Sequence, residues 1–252
     1  MHKVALVTGA AHRIGAHIAT RLAEQGWHVA IHFHGSSEHA VQLAEEIHAR
    51  GGKADIFPAD FENEDEVQAL LDTVIQKLGL VSCLINNASV FERDSALDAT
   101  KKSWDFHLNV NLRAPFVLCQ NFAKALGGQG EGNIINIIDQ RVWNLSPHFT
   151  SYTVSKAGLW TLTQTLAQAL APNIRVNAIG PGPTLKNVRQ SDVDFEAQYL
   201  SIPLKKQTDL VDISNAVLYI LGARSMTGQM IALDGGEHLG WAQGDNHTAP
   251  NE

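Results

Sequence analysis

Short apolar runs that do not alternate with polar residues set the tightest limit on what this chain can fold into. Val4-Ala5-Leu6-Val7 and Ile134-Ile135-Asn136-Ile137-Ile138 are of this kind. A half-exposed strand alternates, whereas an unbroken run needs apolar cover on both faces: a parallel sheet between layers of helices. Such runs fall at residues 3–8, 27–33, 54–58, 82–86, 133–138, 174–179 and 229–233. Segments with helical spacing lie between them at 14–25, 36–50, 64–78, 101–126, 150–171 and 209–221. Gly26 and Gly51-Gly52 stop the first two helices, and Ser36 or Ser37 caps the second. Alternating units predict an α/β fold, a single-domain Rossmann-like doubly wound parallel sheet of about seven strands flanked by helices. The 252 residues hold 44% hydrophobic positions and no Pro/Gly/Ser-rich linker, so 1–252 reads as one domain. Residues 181–207 depart from the pattern, with prolines, mixed charge and one short helix near 192–200. The length of this stretch marks 183–206 as a substrate lid. Residues 240–252 form a polar tail expected to be flexible.

A formal net charge of −7 with no basic run argues against nucleic-acid binding. No apolar run approaches the ~20 residues of a membrane helix. The first residues enter a strand at once, which leaves no room for a signal peptide. Cys83 and Cys119 sit in apolar contexts without CxxC spacing and read as buried free thiols, so a cytoplasmic location is expected. The twelve histidines show no ligand spacing with Cys or carboxylates, and no metal is expected. His32 and His34 share one strand face, where cofactor or solvent contact is expected.

The turn after the first strand, Thr8-Gly9-Ala10-Ala11-His12-Arg13-Ile14-Gly15, opens a helix. Gly9 permits a tight turn and Gly15 a close helix–sheet approach, and the free N–H groups of the helix start suit a pyrophosphate. Arg13 offers two further donors to a phosphate. The second strand ends in His32-Phe33-His34-Gly35-Ser36-Ser37, with no carboxylate before Glu38. A carboxylate there would repel a 2′-phosphate, whereas His34, Ser36, Ser37 and Arg13 accept one, which favours NADP(H) over NAD(H). Asp60-Phe61, after the third strand, is positioned to meet the adenine; alternatively Asp60 caps the next helix.

Tyr152 and Lys156 are four apart at the start of a helix, so both lie on one face. A phenol of pKa about 10 is a poor acid at neutral pH, and a neighbouring ammonium lowers that value. Tyr152 and Lys156 would move a proton while the cofactor moves a hydride.

With these motifs the chain resembles the short-chain dehydrogenase/reductase family over roughly residues 3–240. The matching pieces are the Thr8 to Gly15 turn, Asn86-Asn87-Ala88, Asn111, Tyr152 with Lys156, Gly180-Pro181-Gly182 and Asp234-Gly235-Gly236. The resemblance implies that Asn111 supports Lys156 through a water and that Lys156 also holds the nicotinamide ribose. It further implies that Pro181, Gly182 and Thr184 line the nicotinamide and that Asn87-Ala88 contacts the adenosine half. The family usually carries a serine 13 residues before the tyrosine, and this chain has Asp139 there. Arg13, His32-Phe33-His34, Asn87-Ala88-Ser89-Val90-Phe91, Ala114-Pro115 and Asp139 together resemble the pteridine reductases. Gly35 stands where those enzymes often carry an arginine.

This closer resemblance implies that Arg13 reaches the phosphates and the substrate edge. Ser89 and Phe91 would contact a pterin, Phe91 by stacking, and Asp139 would assist Tyr152 in protonation. The implied activity is NADPH-dependent reduction of a dihydropterin- or dihydrofolate-type substrate. Phe91 is alternatively a core residue under the lid, Asp139 a backbone acceptor at its strand end, and Ser89 a residue without substrate contact. The alternative functions are a short-chain oxidoreductase of another carbonyl or alcohol and a non-catalytic NADP(H)-binding sensor or scaffold. The helical segments 101–126 and 150–171 are apolar around their circumference, which suggests faces buried beyond the sheet. By resemblance they form a dimer face within a homotetramer.

Overall fold

The computed structural model describes residues 3–240 apart from Gln129 and Val188. The strands β1 (Val4–Val7), β2 (His28–Phe33), β3 (Lys53–Pro58), β4 (Cys83–Asn86), β5 (Gly132–Ile137), β6 (Ile174–Pro181) and β7 (Met230–Leu233) form one parallel sheet. Its order is β3-β2-β1-β4-β5-β6-β7. The helices are α1 (Arg13–Glu24), α2 (Ser37–Ala49), α3 (Glu64–Leu78), α4 (Lys101–Leu108), α5 (Ala114–Leu126), α6 (Thr150–Ala169), α7 (Asp192–Ser201) and α8 (Leu210–Gly222).

Every residue of β1 is buried, and its side chains divide between two layers. Ala5 and Val7 pack with Ile18 and Leu22 of α1, Ile47 of α2 and Val217 of α8. Val4 and Leu6 pack with Leu71 and Val74 of α3 and Leu118 and Phe122 of α5. Successive side chains point to opposite faces, and both faces are covered, so the strand shows no polar alternation. Each large side chain buried this way contributes about 1.5–3 kcal/mol. The order reverses between β1 and β4, and such a switch point opens a crevice at the carboxyl ends of the strands.

The segment expected as one helix over 101–126 is three pieces. Between α4 and α5, Asn109–Arg113 form a π-helical turn in which Ala114 N–H donates to Asn109 O. Pro115 explains the break, because it has no N–H to give the Asn111 carbonyl, as a continuous α-helix would require. The short helix expected near 192–200 is α7, whose cap is reciprocal: Ser191 Oγ accepts from Asp194 N–H, and the Asp194 carboxylate accepts from Ser191 N–H. Of the tail expected at 240–252, all but Gly240 lies outside the described residues. No helix among the described residues is long and apolar enough to cross a membrane.

Candidate active site

The turn between β1 and α1 is shaped by contact as much as by its own backbone. Gly9 has φ +60°, and a Cβ there would lie 2.8 Å from Ala88 Cα. A Cβ on Gly15 would meet Gly9 O at 2.4 Å and Asn87 Nδ2 at 2.6 Å. Both glycines are therefore demanded by close approach. Asn87 Nδ2 donates to the carbonyls of Thr8 and Gly9, at 2.8 and 3.0 Å. Thr8 Oγ1 accepts from Asn87 N–H and Ala88 N–H. His12 makes no side-chain cap bond at the start of α1, leaving first-turn N–H groups for an anion.

His32, read as a cofactor or solvent contact, borders the site but is closed to solvent. It is 2% exposed, and its ring braces the turn. Nδ1 accepts from Gly9 N–H at 3.0 Å, so Nε2 carries the hydrogen and donates to Ala59 O at 3.1 Å. Burial pushes the ring down to about 4, against a smaller opposing effect of the Ala59 bond. Phe61 stacks on it at 4.2 Å and 10°. Nothing in the spacing of His32 and His34 distinguishes this brace from a ligand contact. His34 itself is exposed, with Nδ1 3.9 Å from Asp60 Oδ1. Of the two options for Asp60, the cap of α3 is taken by Asn63, which accepts from Asp65 N–H. Asp60 Oδ1 instead accepts from Glu62 N–H.

At the carboxyl ends of the strands lies a cavity of about 580 Å³. Its walls include Gly9, His12, Arg13, Ile14, Gly15, His34, Ser36, Asp60, Phe61, Asn87, Ala88, Ser89, Phe91, Asp139, Tyr152, Lys156, Pro181, Gly182 and Thr184. Two expected site residues do not line it. Ser37 is the exposed first residue of α2. Asn111 is fully buried behind the wall, where Oδ1 accepts from Val90 N–H and Nδ2 donates to Val90 O and Ser155 Oγ. The glycine cradle, the helix start and the cation–hydroxyl set at its rim fit a dinucleotide with a phosphorylated ribose. Arg13 has φ +56° and reaches across the cavity mouth, donating to Leu185 O at 3.0 Å and Lys186 O at 2.9 Å.

Around the reacting position, Tyr152 Oη donates to Asp139 Oδ2 at 2.9 Å. Asp139 Oδ1 accepts from Arg141 N–H at 2.8 Å, so the carboxylate holds both the phenol and the turn that follows β5. Lys156 is buried and donates to Ile137 O at 3.0 Å. Burial pulls its ammonium down to about 8, while the Asp139 charge pulls the other way. Phe91 stacks on Phe149 at 4.5 Å and 19° and meets the Tyr152 ring edge-on at 4.6 Å. Arg189 lies over the Phe91 ring at 5.5 Å, and Nη2 donates to Phe91 O at 2.6 Å. Arg141 and Phe149 come from the segment between Asp139 and Tyr152, and Arg189 and the cavity-lining Glu237 from farther along the chain; no spacing in the sequence gives the direction of these side chains. Among the described residues no group of three His, Cys, Asp or Glu side chains converges as a metal site.

Residues 3–197 match the family model described as short chain dehydrogenase. The crystal structure of FolM alternative dihydrofolate reductase 1 from Brucella canis, complexed with NADP, is similar with a TM-score of 0.92 and 46% identity over 96% of each chain. Its counterpart from Brucella suis, also with NADP, gives 0.88 and 45%, covering 94% of this chain and 96% of the other. The 3-oxoacyl-acyl-carrier-protein reductase FabG of Staphylococcus epidermidis is 34% identical over 244 residues, 95% of this chain and 100% of the relative.

Proposed function

The chain belongs to the short-chain dehydrogenase family, and from that premise we propose that it is an NADPH-dependent reductase of a pterin-like heterocycle of the dihydropterin or dihydrofolate type. The observation that carries this reading is the 2.9 Å bond from the Tyr152 phenol to Asp139. A carboxylate with both oxygens accepting is a poor donor to a ketone oxygen. Reduction of a ring C=N bond instead needs a proton at nitrogen, and a phenol backed by a carboxyl group can supply one. Reduced nicotinamide, when bound, supplies the hydride to carbon. The Lys156 ammonium stabilises the phenolate left when Tyr152 releases its proton. Asp139 then passes a proton drawn from solvent back to Tyr152 Oη. Phe91 stands edge-on to that phenol, and as an aromatic platform it suits a flat heterocycle that takes the place of Arg189 over its ring, while Ser89 and Arg13 meet the polar edge of that heterocycle.

Arg13, His34, Ser36 and Ser37 bind the 2′-phosphate in this reading, with no carboxylate at the end of β2 to repel it, and His12 borders the same cofactor site. Gly9, Ile14, Gly15, Asp60, Phe61, Asn87 and Ala88 hold the rest of the adenosine half and the pyrophosphate. Pro181, Gly182 and Thr184 line the nicotinamide, residues 183–206 act as lid, and Asn111 supports Lys156. The NADP in both FolM structures, at 45–46% identity, supports this cofactor, and their description as dihydrofolate reductases supports the substrate class. The proposed setting is a cytoplasmic homotetramer or homodimer, consistent with the buried, unlinked Cys83 and Cys119. The likeness to FabG favours a second reading, reduction of a carbonyl on another small molecule. Loss of NADPH absorbance with a dihydropterin, dihydrofolate, a 3-oxoacyl thioester and simple ketones separates the two. Turnover of the carbonyl compounds alone overturns the first.

A further inference from the structure

His107 has no part in the reaction proposed above, yet it is 0% exposed and both ring nitrogens are engaged. Nε2 accepts from Glu92 N–H at 2.9 Å. Nδ1 therefore carries the hydrogen, and it faces Ser103 O at 2.9 Å and Ser151 Oγ at 2.7 Å. Ser151 Oγ in turn donates to Asp94 Oδ2, and Asp94 Oδ1 accepts from Ser151 N–H at 3.1 Å. These partners hold His107 neutral in a single tautomer.

His107 is the middle of a stripe. Ser103, His107 and Asn111 stand four residues apart along one side of α4 and the π turn. They bond in order to the Asp94 carboxylate, to Glu92 N–H and to the backbone of Val90, so the chain they hold runs the opposite way. Four helical residues rise about 6 Å, and two extended residues advance about 6.6 Å, so the two spacings match. The helix therefore grips every second residue of the extended segment. Phe91, between Val90 and Glu92, lines the cavity, as does Ser89 just before the grip. Asp94 O also accepts from Phe149 N–H at 2.8 Å, which ties the same segment to the ring on which Phe91 stacks.

We propose that His107 is a positioning residue for the substrate: by gripping Glu92 N–H it sets where Phe91 stands against Phe149 and Tyr152. Asn111 fixes the segment one step before Phe91, and His107 fixes it one step after. The inference rests on reading Phe91 as the substrate platform. His107→Leu removes the acceptor, whereas a Gln oxygen can reach the Nε2 position. The expected result is a rise of about tenfold in KM for the heterocycle in His107→Leu, the effect of one lost buried hydrogen bond. The NADPH Kd from fluorescence titration stays near that of the wild type, and His107→Gln restores most of the loss. An unchanged KM, a parallel rise in NADPH Kd, or no rescue by Gln overturns the proposal. If His107→Leu does not fold, Ser151→Ala removes one of the two Nδ1 partners together with the Oγ bond to Asp94, loosening the same segment more gently, and an unchanged KM in that variant is equally fatal. A wild-type enzyme inactive on dihydropterins and dihydrofolate sinks the substrate reading alone. The same KM comparison is then made on the carbonyl compound it does reduce.

Discussion

Asp139 acts on the site in two ways that one substitution separates. Its Oδ2 accepts the Tyr152 phenol, and its charge opposes the burial that draws Lys156 down to about 8. Asp139→Asn keeps an oxygen and loses the charge. Turnover of the heterocycle should drop by about 10²- to 10⁴-fold, the usual weight of a positioned acid–base group, with NADPH affinity nearly unchanged. Full turnover in the variant would remove Asp139 from the proton path. The charge has its own signature. In the cofactor-free enzyme the Lys156 cation is lost as pH rises through about 8, so kcat/KM for NADPH should fall on that limb. Without Asp139 the cation is less supported, so the limb moves to lower pH; a limb that stays put means Lys156 does not set it. His32 gives the converse case, a ring kept neutral by the fold. Its value lies near 4, against an ordinary 6.5. The unfolded chain thus takes up a proton first as pH falls. The stability from His32 is complete above about 6.5 and is lost progressively toward 4, to a total of about 3 kcal/mol. Melting temperature should therefore decline between those values. His32→Gln should melt lower at neutral pH yet show a flatter acid slope, and an identical slope would assign the loss to other groups.

At the scale of elements, the first β–turn–α unit stands on a helix that touches its own turn. Gly15→Ala puts a Cβ 2.4 Å from Gly9 O, and neither the turn nor the Asn87 amide behind it can retreat cheaply. Overpacking of this kind costs about 1–3 kcal/mol. The displaced helix start should weaken NADPH binding by about tenfold or more, read by fluorescence titration; an unchanged Kd would show that α1 shifts freely. This unit was legible in the sequence because its demands are local, with Gly9 and Gly15 at fixed offsets between an apolar run and a helix. The seven strands were legible for the same reason, since burial on both faces writes itself into contiguous residues. The Tyr152–Lys156–Asp139 grouping was readable because helix geometry and a fixed 13-residue offset bring the three together. What the sequence withheld depends on partners far away in the chain. The 101–126 segment reads as one helix by periodicity, although Pro115 offered a signal that it opens at Asn111. His32 looks like a rim residue until Gly9 and Ala59 are known to flank it. Phe149 carries no visible link to Phe91, since 58 positions separate two stacked rings.

Across the whole molecule, the segment after β6 is tied to both halves of the crevice by arginines of opposite origin. Arg13, from the phosphate turn, donates to the carbonyls of Leu185 and Lys186. Arg189, from the segment itself, donates to Phe91 O and to Glu92 Oε2 at 3.0 Å. Each tie uses a charged donor but is open to solvent, so it is worth less than the 1.5–3 kcal/mol of a buried charged bond. Removing either should loosen the strap without unfolding the sheet beneath it. Arg13→Ala and Arg189→Ala in the cofactor-free protein should each speed amide exchange at Asn187 and Gln190 by about threefold to tenfold. These two residues bond to each other within the strap. Unchanged exchange would mean that α7 alone holds the segment in place. The two ties differ in what a nucleotide does to them. Arg189 is occupied on the substrate side, so Arg189→Ala should raise the substrate KM and leave NADPH binding alone. Arg13 sits where the phosphates arrive, and a guanidinium cannot serve both an anion and the lid carbonyls with the same N–H groups. If it turns to the 2′-phosphate, Arg13→Ala weakens NADPH more than NADH, and exchange at Asn187 in the wild type rises on binding NADPH. Equal losses for the two nucleotides, with exchange at Asn187 unaltered by NADPH, would instead keep Arg13 on the lid and make it a strap residue rather than a cofactor contact.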